Sequence, residues 1–478
     1  MEILRIFLRN LADVILGNPK FLILFILIIF AVFFSVYMEF KIQPGNGKKK
    51  HRVKTNLKYA NKHEAHGVIF GLTGKYSKKA HYSPTKDEGH ILCVGGSGQG
   101  KTSSLLIPTL RSWSTGKGNE KNTSLTIDIS GDISKNVKMH HKLIYKPTDE
   151  KSIPYNIFAT IDVLKNDVDK DKALAELALL LMPINPNASE AGAYYADMGR
   201  KILTASLIAF YHEGMDFCDI CEKIVITGWQ SLLNEIDDTK NERAIKYINC
   251  FEGIDEKYAS SAKNACDTAV ALFSTDEILK KNVRRPKKGE KKFFSAAQIE
   301  THNCFIVIPD EDLEYYQTLT QILTAQCLDF FKSRPLDADH QILFCLDEAA
   351  SLGTIDVLPP LRKFRKRKVR IFFLTQSLAD ISLVWGEKQR EAMLANFKYK
   401  IILECSVASE QREWADLIGE ETIINKSRTD SRMTDVSYTI SEHKDYKLSP
   451  SSLANLGNYL ILLYPGGFRK LYKNFYFK

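Results

Sequence analysis

Apolar residues fall into three patterns along this chain, and each predicts a different kind of element. Residues 21–38 read FLILFILIIFAVFFSVYM, eighteen positions with no charge and one serine. At ~1.5 Å per residue such a helix spans ~27 Å, enough for a bilayer core. Further on, short apolar runs recur at 90–94, 124–128, 142–145, 304–308, 341–346 and 369–375. The run 90–94 fits a buried strand of a parallel sheet, and the more mixed 124–128 and 142–145 read as further candidate strands. Between 170 and 280 the pattern changes again. Segments 173–182 and 198–211 are helical in character, with Ile202, Leu203, Ser206, Ala209 and Phe210 on one face. The predicted organisation is an N-terminal membrane anchor over 1–40, a discontinuous α/β domain over 41–160 and 300–478, and an inserted all-α domain over 161–299.

Charge orients the anchor. Lys41, Lys48, Lys49, Lys50, Arg52, Lys54 and Lys58 follow the span, whereas Arg5, Arg9 and Lys20 precede it. The positive-inside rule puts residues from 41 onward in the cytoplasm, and the same lysines suit anionic headgroups. Residues 3–16 are amphipathic and fit either a helix along the membrane face or one arm of a helical hairpin.

Composition excludes some classes. With 44% hydrophobic and 26% charged residues the chain is globular rather than disordered. The net charge of +9 is a mild basic excess, so its location matters more than its size. Two clusters stand out besides the juxtamembrane run. Residues 280–292 hold six lysines and two arginines, and seven of the residues from 362 to 370 are basic. The first reads as a solvated loop or a phosphate-contacting segment of sequence-independent DNA binding. The nine cysteines are scattered and several lie inside apolar runs, which suits free thiols in a reducing compartment. Cys218 and Cys221 have no second pair at zinc spacing and read as ordinary thiols.

The chemistry begins after the run 90–94. Gly95-Gly96-Ser97-Gly98-Gln99-Gly100-Lys101-Thr102 joins a strand pattern to a helical one, with Ser103 next. Strand, glycine-rich turn and helix is the context that a G-x-x-x-x-G-K-[ST] phosphate loop needs. Its glycines let backbone N–H groups face phosphate oxygens, and the helix N-terminus adds partial positive charge. Lys101 is expected on the β- and γ-phosphates of ATP and Thr102 on Mg²⁺. The run 341–346 ends in Asp347-Glu348. Asp347 is expected to hold Mg²⁺, and Glu348 to polarise the attacking water. Gln376 ends the run 369–375, where it would sense the γ-phosphate. The basic segment between these strands reads as a solvated helix face, a DNA-contacting surface, or an arginine finger offered to a neighbouring subunit.

LDEAASLG at 346–353, IFFLTQSLADISLVWG at 371–386 and ANFKYKIILEC at 395–405 together resemble the type IV coupling proteins, the conjugative DNA-transfer ATPases. The likeness runs over roughly 60–478. It implies a RecA-like P-loop NTPase domain, a homo-hexamer in the inner membrane, and relaxase-bound single-stranded DNA delivered to type IV secretion channel components. It also implies Arg365 as the finger, with Arg362 in reserve. Two departures from the family pattern stand out. One clear span replaces the usual two, and Asp128-Ile-Ser-Gly-Asp132 lacks the Lys and Glu of the family's second motif. The altered motif favours an alternative, a substrate-recruiting membrane receptor with nucleotide-regulated conformation and little motor activity.

Overall fold

The computed structural model describes residues 57–477 except 186–187, 354 and 431–435, and over 425–440 it describes the backbone only. The predicted span at 21–38 therefore lies outside the described residues. Among those described, no helix is long and apolar enough to cross a membrane.

The strands begin with β1 (Lys58–Asn61), β2 (Gly67–Leu72), β3 (Lys79–Pro84), β4 (His90–Val94), β5 (Thr123–Asp128) and β6 (Lys142–Tyr145). Helices then run from Ala159–Asp162 to Glu277–Asn282 without an intervening strand. The sheet resumes with β7 (Asn303–Val307), β8 (Ile342–Leu346), β9 (Val369–Thr375) and β10 (Phe397–Ile402). A hairpin of β11 (Glu420–Asp430) and β12 (Val436–Tyr446) precedes β13 (Tyr459–Tyr464) and β14 (Gly467–Tyr472). Twelve strands make one sheet in the order β1-β3-β2-β14-β13-β10-β4-β9-β8-β5-β7-β6. Every pairing from β10 to β6 is parallel, and those from β1 to β10 are antiparallel. Among the described residues the hairpin pairs only with itself.

Both faces of the parallel part are covered, which explains its continuous apolar runs. Ile91 and Cys93 of β4 pack with Leu105, Leu106, Leu110 and Trp113, on the helix that follows the glycine-rich turn. Leu92 and Val94 point the other way, into a core shared with Leu177, Leu203, Leu207 and Phe210 of the helical insertion. The insertion thus continues the hydrophobic core of the sheet. Burial raises the thiol pKa of Cys218 and Cys221 within it, so both pack as inert apolar groups.

The basic run at 280–292 is partly consumed by ion pairs. Lys280 meets Glu222 at 3.0 Å, Arg284 meets Glu290 at 2.8 Å, and Arg285 joins Asp162 at 3.0 Å to Asp216 at 3.1 Å. Lys281 pairs with Glu150. Lys287, Lys288, Lys291 and Lys292 stay exposed. The run is therefore largely a strap holding the insertion, with half its charge left for solvent or phosphate.

Arg370 corrects another reading. It belongs by sequence to the basic segment 362–370, yet it is fully buried below the glycine-rich turn. As the second residue of β9 its side chain must enter the interior, because β9 is covered on both faces. It donates to Gly89 O at 2.8 Å, Pro84 O at 3.2 Å and Ser83 Oγ at 3.0 Å. Its charge is balanced by Asp87, which also accepts from Lys398 Nζ at 2.7 Å, Ser83 Oγ at 2.8 Å and the Tyr399 hydroxyl. Burial alone would raise the Asp87 pKa. Arg370 and the three donors outweigh it and hold that carboxyl well below its ordinary value.

A carboxylate whose folded pKa is depressed stabilises the fold above its unfolded pKa of ~3.9, and that stability is lost as pH falls below it. Asp87→Asn leaves Arg370 buried without its counter-charge, so we expect it to cost about 3 kcal/mol at pH 7. Its stability should then fall less steeply than wild type between pH 4 and 2. Denaturant unfolding across that range checks both; equal stability at pH 7 would contradict the assignment.

Candidate active site

The site is built at the carboxyl ends of three adjacent parallel strands, β4, β9 and β8. Gly95 N–H donates to Thr375 O at 3.2 Å, so the glycine-rich turn is tied to the end of β9. Gly95 is also a close-approach glycine: a Cβ there would lie 2.7 Å from Leu403 Cβ. Gly98 and Gly100 have φ of +73° and +90°, the left-handed region that favours glycine. Gln99 turns outward from the loop and accepts from Glu404 N–H at 2.9 Å. Gly95 and Gln99, both expected at the nucleotide, thus tie the loop to Leu403 and Glu404, just past the end of β10, and do not line the cleft. The other expected loop residues, Gly96, Ser97, Gly98, Gly100, Lys101, Thr102 and Ser103, line a cleft of about 510 Å³.

The helix from Thr102 to Trp113 opens with a wide π-type turn, and Ile107 N–H reaches Thr102 O. Pro108 comes next and has no N–H to continue ordinary pairing, which accounts for the widened turn.

Lys101 is buried, and its ammonium donates to Gly95 O at 2.7 Å and Gly96 O at 3.3 Å while pairing with Glu348 Oε1 at 3.0 Å. Thr102 Oγ1 donates to Asp347 Oδ1 at 3.2 Å. The expected acidic pair is therefore in contact with the expected phosphate loop. Burial, then the nearby carboxylates of Glu348 and Asp128, push the Asp347 pKa up to about 7. A hydroxyl and an acidic group crowded by like charge suit a small, hard cation, which takes few protein ligands and keeps water for the rest. Among the described residues no three His, Cys, Asp or Glu converge into a fuller metal cage. Glu348 has φ of +51°, uncommon for a residue with a side chain and a form of strain that clusters at functional sites.

Gln376 lies on the same cleft, as do Ile129, Ser130 and Asp132 of the altered second motif. Asp128 of that motif is buried and accepts from Ser134 N–H at 2.7 Å, fixing the turn that presents Ser130. Arg365 is not brought to this cleft. It precedes β9, at the opposite end of the sheet, and pairs with Glu88 at 3.3 Å. Arg362 is exposed on the same segment.

Asp310, Tyr476 and Phe477 also line the cleft and were missed from sequence. The run Phe475-Tyr476-Phe477 was visible as a cluster of aromatics. Nothing in its spacing linked it to a loop almost 400 residues earlier.

A family model described as the type IV secretion-system coupling protein DNA-binding domain matches residues 78–459. This chain belongs to the type IV secretion-system coupling proteins. Curated relatives of this coupling-protein family include Protein VirD4 of Rhizobium rhizogenes, 21% identical over 81% of this chain and 58% of that protein. Protein VirD4 of Agrobacterium fabrum is 20% identical over 83% of this chain and 60% of that protein. The chain thus spans less than two thirds of either relative. Among solved structures, the bacterial conjugative coupling protein TrwBdeltaN70 superposes with a TM-score of 0.62 at 18% identity, covering 80% of this chain and 84% of that one. Plasmid coupling protein TrwB in complex with a non-hydrolysable ATP analogue gives 0.63 at 17% identity, covering 88% and 95%. These likenesses show a shared coupling-protein fold. The matched span contains the loop, the acidic pair and Gln376, and stops short of Tyr476 and Phe477.

The tight fit of Gly95 against Leu403 is directly testable. Gly95→Ala forces a methyl group into the β10 neighbour and should cost about 1–3 kcal/mol, read as a lower denaturation midpoint. A variant as stable as wild type would show that the turn has room this packing denies it.

Proposed function

We propose that this chain is a membrane-anchored ATPase that couples relaxase-bound single-stranded DNA to a type IV secretion channel and drives its translocation by ATP hydrolysis. The observation that carries the ATPase part is the joint contact of Lys101 with Glu348 and of Thr102 with Asp347. It supports reading the loop as a phosphate cradle, Thr102 and Asp347 as a cation-binding pair and Glu348 as the base. TrwB, whose fold this chain shares, is known in complex with ADP and Mg²⁺ and with a non-hydrolysable ATP analogue. The DNA part is supported by the matching family, a coupling-protein DNA-binding domain.

In this reading Gly96, Ser97, Gly98, Gly100, Lys101, Thr102 and Ser103 cradle the phosphates of ATP, and Thr102 with Asp347 would hold Mg²⁺. When bound, that ion would supply neutralisation of phosphate charge. Lys101 turns from the loop carbonyls to phosphate oxygens, which releases Glu348 to orient and deprotonate water. Gln376, at the end of β9, reports the state of the γ-phosphate to the sheet. Arg365 lies far from the cleft of its own chain, so it can act as a finger only on a neighbouring copy in a ring, for which we propose a hexamer. The anchor at 21–38 holds the assembly in the cytoplasmic membrane, with the α/β domain and the insertion at 161–299 in the cytoplasm. The altered segment Asp128–Asp132 on the cleft wall favours a second reading, a recruiting receptor whose nucleotide sets conformation with little motor work.

Steady-state ATP hydrolysis by the full chain, with and without single-stranded DNA, tests the proposal. Lys101→Ala and Glu348→Gln should each lower turnover by about 100-fold or more, and DNA should stimulate only the wild type. Unchanged turnover in both variants would refute the motor reading. DNA transfer that survives Glu348→Gln would favour the receptor.

A further inference from the structure

The cleft has a wall that the phosphate chemistry leaves unused. Its lining holds the acidic pair Asp347 and Glu348 with Gln376, and it also includes Tyr476 and Phe477, whose segment adjoins Gly100 and Ser103 of the loop. The aromatic segment is fastened there. Lys473 N–H donates to Asn458 O at 2.8 Å and Lys473 Nζ to Gly457 O at 2.6 Å, fixing its start. Tyr476 N–H donates to Ser103 O at 3.1 Å, and Arg111 Nη1 donates to Tyr476 O at 3.2 Å. The Arg111 guanidinium also lies 4.9 Å from the centre of the Tyr476 ring. Phe475 closes on the loop itself, where a Cβ on Gly100 would come within 3.0 Å of its ring. The three rings brace one another, Phe477 lying 5.4 Å from Phe475 and 5.2 Å from Tyr476. Phe477 nevertheless remains 62% exposed. A large aromatic side chain, held by its neighbours and left open on a cleft, is a surface prepared for a flat partner.

Phosphate-loop geometry says which partner reaches it. Lys101 addresses the β- and γ-phosphates and the loop amides the α- and β-phosphates. The nucleoside therefore leaves the loop away from the acidic pair, past Thr102 and Ser103, on the side where Tyr476 N–H holds Ser103. We propose that Phe477, with Tyr476 beside it, is the face on which the purine ring of ATP stacks. The proposal rests on the nucleotide-site reading above and adds two residues that lie beyond the span matched by the family model. It also links the segment after β14 to the loop, since Tyr476 holds Ser103 and its neighbour Phe477 would meet the base.

Binding of ATP and of inorganic tripolyphosphate, each with Mg²⁺, separates the base from the phosphates. The full chain is titrated calorimetrically as wild type, Phe477→Ala, Phe477→Trp and Lys101→Ala. Loss of a base–aromatic stack should weaken ATP binding by Phe477→Ala about tenfold or more. Its tripolyphosphate affinity should not change, and Phe477→Trp should restore ATP binding. Lys101→Ala should weaken both ligands. An exposed ring contributes little to folding, so Phe477→Ala should melt with the wild type. If Phe477→Ala binds ATP as wild type does, or loses both ligands equally, the stacking face is overturned while the loop reading stands. If the wild type binds neither ligand, the nucleotide-site reading fails and takes this proposal with it.

Discussion

Everything at the candidate site depends on the parallel pairing of β4, β9 and β8. Val94 sits beside Thr375, and Phe373 sits beside both Leu92 and Leu346. These registers bring three carboxyl ends to one edge of the sheet, and each end carries a polar payload. β4 delivers the glycine-rich turn, β8 delivers Asp347 and Glu348, and β9 delivers Gln376. Ligands of open α/β sheets collect at such edges because loops and helix N-termini converge there. Thr102 and Asp347 are 245 residues apart in sequence, and this register is what makes a hydrogen bond between them possible.

The same pairing explains why the base of the sheet is built so differently from its top. Below the turn, Asp87, Arg370, Lys398 and Tyr399 bind β9 and β10 to the segment that leads into β4. Buried charges are retained at a cost in desolvation, and here each has its partner. At the top, charge is left unbalanced. Two carboxylates, Glu348 and Asp128, crowd Asp347, and Lys101 is shared between loop carbonyls and Glu348. A balanced network below and a frustrated one above are what a rigid platform under a ligand site requires.

The central parallel strands were legible because burial on both faces leaves a nearly pure apolar run, and β4 and β9 fall where those runs predict. The edge strand β6 also falls at its expected 142–145, although it leaves Ile144 exposed. The loop was legible because its glycines, lysine and threonine have a fixed spacing. The antiparallel strands β1 and β3 were not read. β1 is the short and mostly exposed KYAN, and β3 mixes Lys79, His81 and Ser83 with apolar residues. Neither carries a run that stands out. The long hairpin of β11 and β12 escaped for the same reason, since it pairs with no other strand and adds no core run. Charge in sequence also misled where geometry decides. Arg370 looked like surface, and the arginines at 284 and 285 looked available, because ion pairing across distant segments leaves no local trace. Tyr476 and Phe477 were visible as aromatics, but only the fold brings them to the loop.

The central claim is that the loop and the acidic pair act as one site for a cation and a nucleotide. A double-mutant cycle on Thr102→Ala and Asp347→Asn, read as Mg²⁺-dependent ADP binding by calorimetry, tests it most directly. Strong non-additivity is expected, with a coupling of about 1 kcal/mol or more, because either change alone already breaks the shared site. Effects that add to within ~0.5 kcal/mol would mean that the two side chains act independently, and would contradict it.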